Sequence, residues 1–230
     1  MKIAVLGTGN VGQTLAEKLI SMGHEVKMGT RDVSTTMERK STDNYGSLAF
    51  REWYSKNEKV QLITFKEAVI QSEMVINALQ GAIALSVIQS CNTSDFDNKI
   101  VIDISNPLDF SQGFPPSLLE GLNNTNSLGE EIQKELPKAK VVKTLNTMWC
   151  GLMVNPTMIN NGSHQNYICG NDKEAKEEVL GLLLSFGWSK DNNMDLGDIT
   201  NARGTEATLL IWTRIYAATQ NGAFNMKLVK

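Results

Sequence analysis

A run of six residues near the start of the chain limits what the protein can fold into. An apolar segment, residues 3–6, leads into the run, and an amphipathic segment with Leu15 and Leu19 on one side follows it. The run has the spacing GxGxxG and consists of Gly7, Thr8, Gly9, Asn10, Val11 and Gly12. Between a strand and a helix, this spacing is typical of the phosphate-binding turn of a βαβ unit. We therefore expect a dinucleotide site with Gly7 in the tight turn, Gly9 beneath the pyrophosphate and Gly12 against the strand.

Short apolar runs alternate with helix-patterned segments along the chain, which predicts α/β units with a mostly parallel sheet. Strands are predicted at residues 2–6, 25–28, 60–64, 74–79, 100–104, 140–145 and 166–169. Helices are predicted at residues 11–22, 65–71, 82–89, 127–136, 172–186 and 205–219. The predicted fold class is a Rossmann-type, doubly wound, mostly parallel sheet with a short C-terminal helical extension. Residues 1–150 are expected to form the dinucleotide-binding domain, and residues 151–230 a C-terminal lobe that continues the sheet.

Two stretches lack a clear period. Residues 32–57 begin polar and are interpreted as an elaborated crossover that becomes helical at 47–56. Residues 106–126 contain three prolines and two glycines and are predicted to be loop or turn for much of their length. The last predicted helix presents Leu209, Trp212 and Tyr216 on one face, which indicates a core contact, an interface or both.

Composition excludes several classes of partner. The chain has 22 Lys and Arg against 25 Asp and Glu, so we expect no broad basic surface for nucleic acid or for an anionic membrane. Its three cysteines are too few and too scattered for a disulfide framework, which fits a reducing cytoplasm. Six asparagines and a proline interrupt the longest uncharged stretch, residues 144–171, so no membrane helix is predicted.

The end of the second predicted strand indicates which dinucleotide binds. An Asp or Glu at this place usually takes the ribose hydroxyls of NAD, and the chain has Thr30 and Arg31 instead. A neutral hydroxyl does not repel a phosphate, and a guanidinium suits the 2′-phosphate of NADP. NADP(H) is therefore the expected cofactor. Asp32 is the counter-indication, because it could pair with Arg31 or reach the ribose itself.

No strong acid or base emerges from the sequence. His164 is the weak candidate for a proton donor, and its loop setting favours an exposed position; Lys143 could equally cover the outer face of the sheet. Hydride transfer between nicotinamide and a flavin-like ring needs alignment of two flat rings more than a protein proton donor. Positioning residues are expected at the carboxyl ends of the strands, where open α/β sheets place ligands: Ala78, Leu79, Asn106, Pro107 and Asn146.

Several motifs together resemble the deazaflavin-dependent NADP reductase family and its uncharacterised bacterial relatives. They are LGTGNVG at 6–12, GHEV at 23–26, GTRD at 29–32, IDISNPL at 102–108, KTLNT at 143–147, CGND at 169–172 and LGDITNARGTE at 196–206. The resemblance spans nearly the whole chain. It departs where the deazaflavin enzymes have His and this chain has Asn146.

The resemblance implies NADP(H) with its 2′-phosphate at Thr30 and Arg31, and a hydride moved to or from a small-molecule redox acceptor, such as a flavin or deazaflavin. It also implies a homodimer formed through C-terminal helices. Two alternatives stay open: an NADPH-dependent reductase of a small imine or carbonyl compound, and an NADP(H)-binding sensor that does not turn over.

Overall fold

One central sheet organises the molecule in the computed structural model, which describes residues 1–40 and 49–229. Six strands run parallel in it: β1 (Lys2–Leu6), β2 (Glu25–Thr30), β3 (Gln61–Thr64), β4 (Met74–Asn77), β5 (Ile100–Asp103) and β8 (Lys140–Thr144). Beyond β8 come β9 (Asn166–Gly170), which is antiparallel to β8, and β10 (Asn193–Asp195), which is parallel to β9. The order across the sheet is β10-β9-β8-β5-β4-β1-β2-β3. This confirms the predicted fold class, with the topological switch between β1 and β4.

Helices cover both faces of the sheet. Those that follow β1 to β4 are α1 (Asn10–Ser21), α2 (Val33–Glu38), α3 (Phe50–Ser55), α4 (Phe65–Ile70) and α5 (Gly81–Ser90). The later ones are α6 (Leu128–Glu135), α7 (Cys150–Val154), α8 (Lys173–Phe186) and α9 (Ala202–Thr219). None of the helices in the described part of the chain is long and apolar enough to cross a membrane.

Alternation along β1 separates two apolar cores. Ile3 and Val5 pack with residues of α1, α3, α7 and α8, whereas Ala4 and Leu6 pack with residues of α4, α5, α6 and α9. All four side chains are fully buried, as expected of a strand covered on both faces. Each large side chain buried in this way contributes about 1.5–3 kcal/mol. The two cores together fix the carboxyl edge at which β1 and β4 diverge.

The irregular stretches contain more structure than the sequence pattern indicates. Within residues 106–126, β6 (Leu108–Asp109) and β7 (Ser117–Leu118) pair as a small antiparallel hairpin. The predicted helix at 47–56 is observed as α3, while residues 47 and 48 lie outside the described residues. The prediction also missed α2, which is short and rich in Thr and Ser, and β10, an edge strand of three residues.

The last helix, α9, is partly core. Leu209 is buried, whereas Trp212 and Tyr216 are half-buried and stack on each other with ring centroids 5.5 Å apart. Phe224 from the C-terminal tail also stacks on Trp212, with ring centroids 5.3 Å apart. The predicted apolar face therefore packs in part against the C-terminal tail of the chain itself.

Candidate functional site

The glycine turn connects β1 to α1 as the spacing predicts. Gly7 has φ +118°, and a Cβ on it would lie 2.7 Å from the Ala78 carbonyl oxygen, so only glycine fits there. A Cβ on Gly12 would lie 2.1 Å from the carbonyl oxygen of Gly7. Among the described residues, by contrast, no atom lies within 4 Å of a Cβ built on Gly9, and the N-cap residue Gly9 has no side chain that could cap α1. The turn is thus closed on its inner side and open where a phosphate would approach.

Two side chains hold the carbonyl of Thr8. Gln13 Nε2 donates to this oxygen at 2.9 Å, and Arg39 Nη2 donates to it at 2.6 Å. Arg39 Nη1 also donates to the Thr8 hydroxyl at 3.0 Å, while its guanidinium lies over the ring of Phe50. Arg39 therefore ties the end of α2 to the glycine turn before any ligand binds.

A cavity of about 560 Å³ opens from this turn. We call it the first cavity. Arg31, Arg39 and Lys40 contribute three cationic side chains to its lining, together with the turn residues 7–11, Thr30 and Thr36. Ala78, Leu79 and Gln80 line the side that faces β4. An elongated anion that enters here meets the N–H groups at the start of α1 and cationic side chains in the same lining.

Asp32 does not neutralise Arg31. Its Oδ1 accepts a hydrogen bond from Thr35 N at 2.6 Å and caps the N-terminus of α2. The backbone and side chain of Thr35 hold the pKa of Asp32 below its usual range. Among the described residues, no carboxylate forms a salt bridge with Arg31, which stays exposed at the edge of the first cavity. Asp32, the residue that argued against NADP(H), therefore has a structural role as the cap of α2.

Thr30 lines the first cavity, but its hydroxyl is already bonded. Its Oγ1 lies 2.6 Å from Thr36 Oγ1, and Thr36 Oγ1 donates to the Asp32 carbonyl at 2.8 Å. A hydroxyl has one proton, so Thr30 donates to Thr36 in this arrangement. Arg31 is then the residue of the predicted pair with donors available at the end of β2.

A second cavity of about 340 Å³ adjoins the first and shares four residues with it: Val11, Ala78, Leu79 and Gln80. It lies on the β5 side of the switch point. Its further lining consists of Gly81, Ala82, Ile104, Ser105, Asn106, Leu108, Asp109, Phe110 and Leu119. The second cavity is thus mainly apolar and has no cationic side chain among its described lining residues, whereas the first has three.

Two asparagines join the ends of β5 and β8. Asn106 Nδ2 donates to the Asn146 carbonyl at 2.9 Å, and Asn146 Nδ2 donates to Asn106 Oδ1 at 2.9 Å. Asn106 lines the second cavity, while Asn146 and Pro107 are buried behind it. Asn146 Oδ1 and Thr147 Oγ1 are buried without a hydrogen-bond partner among the described residues. Each such atom costs about 1–3 kcal/mol, and neither residue lines the first or the second cavity.

His164 is not in the position that its loop setting suggested. It is 2% exposed, its Nε2 donates to the Pro156 carbonyl at 2.8 Å, and its Nδ1 accepts from Asn225 Nδ2 at 2.8 Å. Trp188 packs edge-to-face against the ring. The expectation of an exposed His164 is wrong, because the C-terminal tail covers it. His164 lines neither cavity, and the structure does not bring it together with the other candidates.

Of the two positions that the sequence left open for Lys143, the outer face of the sheet is not the one observed. Lys143 is fully buried, and its Nζ contacts Asp103 Oδ2 at 2.7 Å and Glu206 Oε1 at 2.8 Å. It also donates to the Ser105 carbonyl at 2.6 Å. Burial alone would lower the pKa of Lys143, but Asp103 and Glu206 outweigh burial and raise it. We call Lys143, Asp103 and Glu206 the buried triad.

The buried triad supports the edge of the second cavity. Asp103 Oδ1 accepts from Ser105 N at 3.1 Å and from Ser105 Oγ at 2.6 Å, while Glu206 accepts from Leu128 N and Gly129 N at the start of α6. The loop after β5 is therefore tied to β8, α6 and α9 through charged groups. The charges of the triad are held away from the cavity, with Ser105 between them.

Sequence reasoning missed three lining residues with evident chemistry: Arg39, Lys40 and Asp109. One sequence signal could have indicated Arg39. Asp32 is a good helix N-cap, and it predicts a short helix that would return the chain towards the glycine turn. Asp109 lies in the stretch interpreted as loop, where no period indicates which side chains point inward.

Comparison with known proteins gives a consistent family likeness. A family model described as NADP oxidoreductase, coenzyme F420-dependent, matches residues 2–107. A solved structure from Arthrobacter sp. FB24, described as a candidate F420-dependent NADP-reductase, has a TM-score of 0.93 and 44% sequence identity. That likeness covers 100% of both chains.

More distant proteins share part of their length with this chain. The metalloreductase STEAP3 of Rattus norvegicus is 27% identical over 90% of this chain and 36% of its own length. A reductive aminase of Aspergillus terreus, solved with NADPH, has a TM-score of 0.61 and 16% identity over 95% of this chain and 62% of its own. This chain thus spans about a third of the first protein and under two thirds of the second, and the second likeness shows the fold alone.

Proposed function

The chain belongs to the family of coenzyme F420-dependent NADP oxidoreductases, and from this premise we propose that it transfers a hydride between NADP(H) and a flavin-like or deazaflavin-like ring. One observation carries the proposal. The cationic first cavity runs into the apolar second cavity through four shared residues at the switch point of the sheet. A dinucleotide bound at the glycine turn would therefore place its two ends in two different chemical environments.

The first cavity fits the phosphates of NADP(H). Gly9 leaves room for the pyrophosphate at the N-terminus of α1, and Arg31 offers its guanidinium to the 2′-phosphate. Asp32, which would repel that phosphate, is turned to Thr35. Arg39 holds the Thr8 carbonyl so that N–H groups face the cavity. Thr30 would support the site through its bond to Thr36.

The second cavity fits the nicotinamide end and the acceptor. When bound, NADPH supplies the hydride. Ala78 and Leu79 offer small and apolar surfaces beneath a ring, and Asn106, held by Asn146, offers a fixed amide at the cavity wall. The apolar lining offers water few hydrogen-bond partners in the region where the two rings would meet.

Proton donation distinguishes a ring acceptor from an imine or carbonyl compound. Asp109 is the titratable group among the described lining residues of the second cavity, and the backbone and side chain of Ser111 hold its pKa below the usual range. It is therefore ionised at neutral pH and is a poor proton donor. This favours an acceptor ring over an imine or carbonyl, which needs a proton as it is reduced.

We also propose the wider setting of the protein. Residues 1–150 act as the NADP-binding domain and residues 151–230 as a lobe that continues the sheet. The chain works as a cytoplasmic homodimer on a small-molecule acceptor, without nucleic acid or membrane. Exposed Ile211 on α9 and the half-buried ring of Tyr216 support a helical dimer contact.

Titration and turnover test the proposal together. Binding of NADPH and NADH is followed by fluorescence for the wild type, for Arg31→Ala and for the control Arg214→Ala, an exposed arginine of α9 outside the first cavity. Arg31→Ala is expected to weaken NADPH at least tenfold more than NADH, because only NADPH offers the 2′-phosphate, while a charge-assisted bond contributes about 1.5–3 kcal/mol.

Oxidation of bound NADPH is then followed by absorbance with flavins, a deazaflavin, quinones and imines. Turnover of a ring acceptor is the expected result. Turnover of imines alone would replace it with the imine reductase function, and tight NADPH binding without turnover of any acceptor would indicate a sensor. Equal losses of NADPH and NADH in Arg31→Ala would contradict the assignment of the 2′-phosphate to this residue.

A further inference from the structure

Phe110 is a large apolar side chain that the fold leaves exposed at the second cavity. Its side chain is 55% exposed and lines this cavity, in which it is the one aromatic residue among the described lining residues. Most of the other lining side chains are small or aliphatic. Among the described residues, no other aromatic ring packs against Phe110. The cavity wall therefore includes an aromatic ring without an aromatic partner of its own.

A turn of the β6–β7 hairpin fixes the backbone of Phe110. Before it in the chain, Asp109 Oδ1 accepts from Ser111 N at 2.8 Å, and Asp109 Oδ2 accepts from Ser111 Oγ at 3.0 Å. After it, Gly113 N donates to the Phe110 carbonyl at 2.9 Å, and Gly113 has φ +91°, a conformation that favours glycine. The backbone is thus ordered before a ligand binds, so that only the side-chain angles of Phe110 remain to be fixed on binding.

The hairpin places Phe110 away from the residues that the two cavities share. Leu119 N donates to the Pro107 carbonyl at 2.8 Å, which ties the hairpin to the end of β5. Ala78 and Leu79 line both cavities, whereas Phe110 lines the second cavity alone. A nicotinamide that extends from the first cavity would enter at the shared residues, and Phe110 would remain free for a second ring.

We propose that Phe110 is the stacking residue for the hydride acceptor, and that the acceptor ring binds between the nicotinamide and the ring of Phe110. This inference rests on the proposed hydride transfer, and it assigns the acceptor to flat, fused aromatic rings. Hydride transfer requires the reacting atoms to lie about 3–3.5 Å apart, which occupies one face of the acceptor ring. The other face is free to stack on Phe110, and stacked rings contribute beyond the area that they bury.

Phe114 provides a matched control in the same hairpin. Its side chain is 52% exposed, close to the exposure of Phe110, but it lines neither cavity. It packs edge-to-face against Tyr216, with ring centroids 6.0 Å apart. The two phenylalanines therefore differ in their position relative to the second cavity more than in type or exposure.

Steady-state kinetics with two flat acceptors, FMN and 5-deazariboflavin, test the proposal at saturating NADPH. Phe110→Ala is expected to lower kcat/KM for both acceptors about tenfold, mainly through KM, and to change the KM of NADPH less than about twofold. Phe110→Tyr keeps the ring and should stay within about twofold of the wild type. Phe110→Leu keeps apolar area without a flat ring and should lose at least about threefold. Phe114→Ala should leave kcat/KM within about twofold of the wild type.

Each outcome decides the inference. A kcat/KM in Phe110→Ala as high as in Phe114→Ala would overturn it. Equal values for Phe110→Leu and Phe110→Tyr would overturn it too, because apolar area alone would then suffice. A lower molecular mass of Phe110→Ala in light scattering would also overturn it, because Phe110 would then be an interface residue.

Failure of the proposed transfer gives a different result. If neither acceptor oxidises NADPH in the wild type, the transfer fails, and the Kd of FMN in the presence of NADP⁺ is measured by fluorescence for the same variants. A Kd about tenfold higher in Phe110→Ala, and unchanged in Phe114→Ala, would still support stacking on Phe110. Equal Kd values, or no binding of FMN to the wild type, would overturn it.

Discussion

Replacing Lys143 by methionine removes the cation of the buried triad while keeping the length of the side chain. Asp103 and Glu206 then remain buried, with oxygens that Lys143 Nζ contacts at 2.7 and 2.8 Å in the native protein. Neither carboxylate reaches solvent, since their side chains are at most 1% exposed. The variant therefore keeps two buried negative charges without their counter-charge.

The expected loss of stability is large. Removing one partner of a buried ion pair costs about 3–5 kcal/mol, because the remaining charge stays desolvated. For a chain of 230 residues, unfolding entropies of about 2.1 cal/mol/K per residue convert this loss into a decrease in Tm of about 6–10 °C. The matched control is Lys138→Met, which breaks the ion pair of an exposed lysine with Asp97 at 3.1 Å. It is expected to cost less than about 1 kcal/mol.

The loss must also depend on pH in a definite direction. Without Lys143, burial raises the pKa of the carboxylates, so protonation stabilises the folded variant at low pH and this benefit disappears as the pH rises. The Tm difference between variant and wild type should therefore grow from pH 5 to pH 8. In the native protein the pKa of Lys143 is raised, so its contribution is complete below the ordinary lysine value of 10.5 and is lost as the pH rises through the folded value. Calorimetry between pH 5 and pH 8 measures the first effect, and calorimetry of the wild type above pH 10.5 measures the second. A Tm decrease no larger than that of Lys138→Met at pH 8 would refute the argument.

Three further variants test other parts of the structure. Arg39→Ala removes two bonds to Thr8 and should raise the Kd values of NADPH and NADH by a similar factor, about tenfold, because it acts on the turn that both share; a selective loss of NADPH would instead assign Arg39 to the 2′-phosphate. Gly12→Ala places a Cβ 2.1 Å from the Gly7 carbonyl oxygen, so dinucleotide binding should be lost in fluorescence titrations. The same variant should lose about 1–3 kcal/mol of its free energy of unfolding, measured with urea. His164→Ala should lower the free energy of unfolding by about 1–3 kcal/mol and leave kcat for NADPH oxidation unchanged at 25 °C, because the residue binds Pro156 and Asn225 outside both cavities. A lower kcat in a folded His164→Ala variant would instead support the hypothesis that His164 is a proton donor.

Local patterns in the sequence were sufficient for the frame of the fold. The strands alternate or run apolar, the helices repeat with their own period, and the glycine turn joins the first pair. The predicted bounds of β1 agree with the structure, and β8 ends one residue early because Leu145 takes a φ of +59°. The resemblance to the deazaflavin-dependent NADP reductases is confirmed by the full-length likeness to the Arthrobacter structure.

Long-range partners could not be read from the chain in the same way. The position of Lys143 in its strand is the same whether its side chain faces solvent or a buried carboxylate. Its burial depends on a long-range contact with Glu206 of α9, which the local pattern does not indicate. His164 lies in a polar loop segment, and the tail residue that buries it, Asn225, is 61 positions away. The contacts of Arg39 depend likewise on a short helix whose Ser and Thr residues are weak helix formers.

The contact between Glu206 and Lys143 has a consequence for the order in which the protein is made. The six parallel strands are complete once residue 144 has left the ribosome, but their buried lysine still lacks one of its two carboxylates. Glu206 follows about 60 residues later, which corresponds to about 3–12 s at usual rates of translation. During that interval the start of α6 also lacks the carboxylate that accepts from Leu128 and Gly129. The nascent chain therefore reaches its full stability only when its last helix emerges, and a ribosome stalled before α9 would hold an incompletely folded dinucleotide domain.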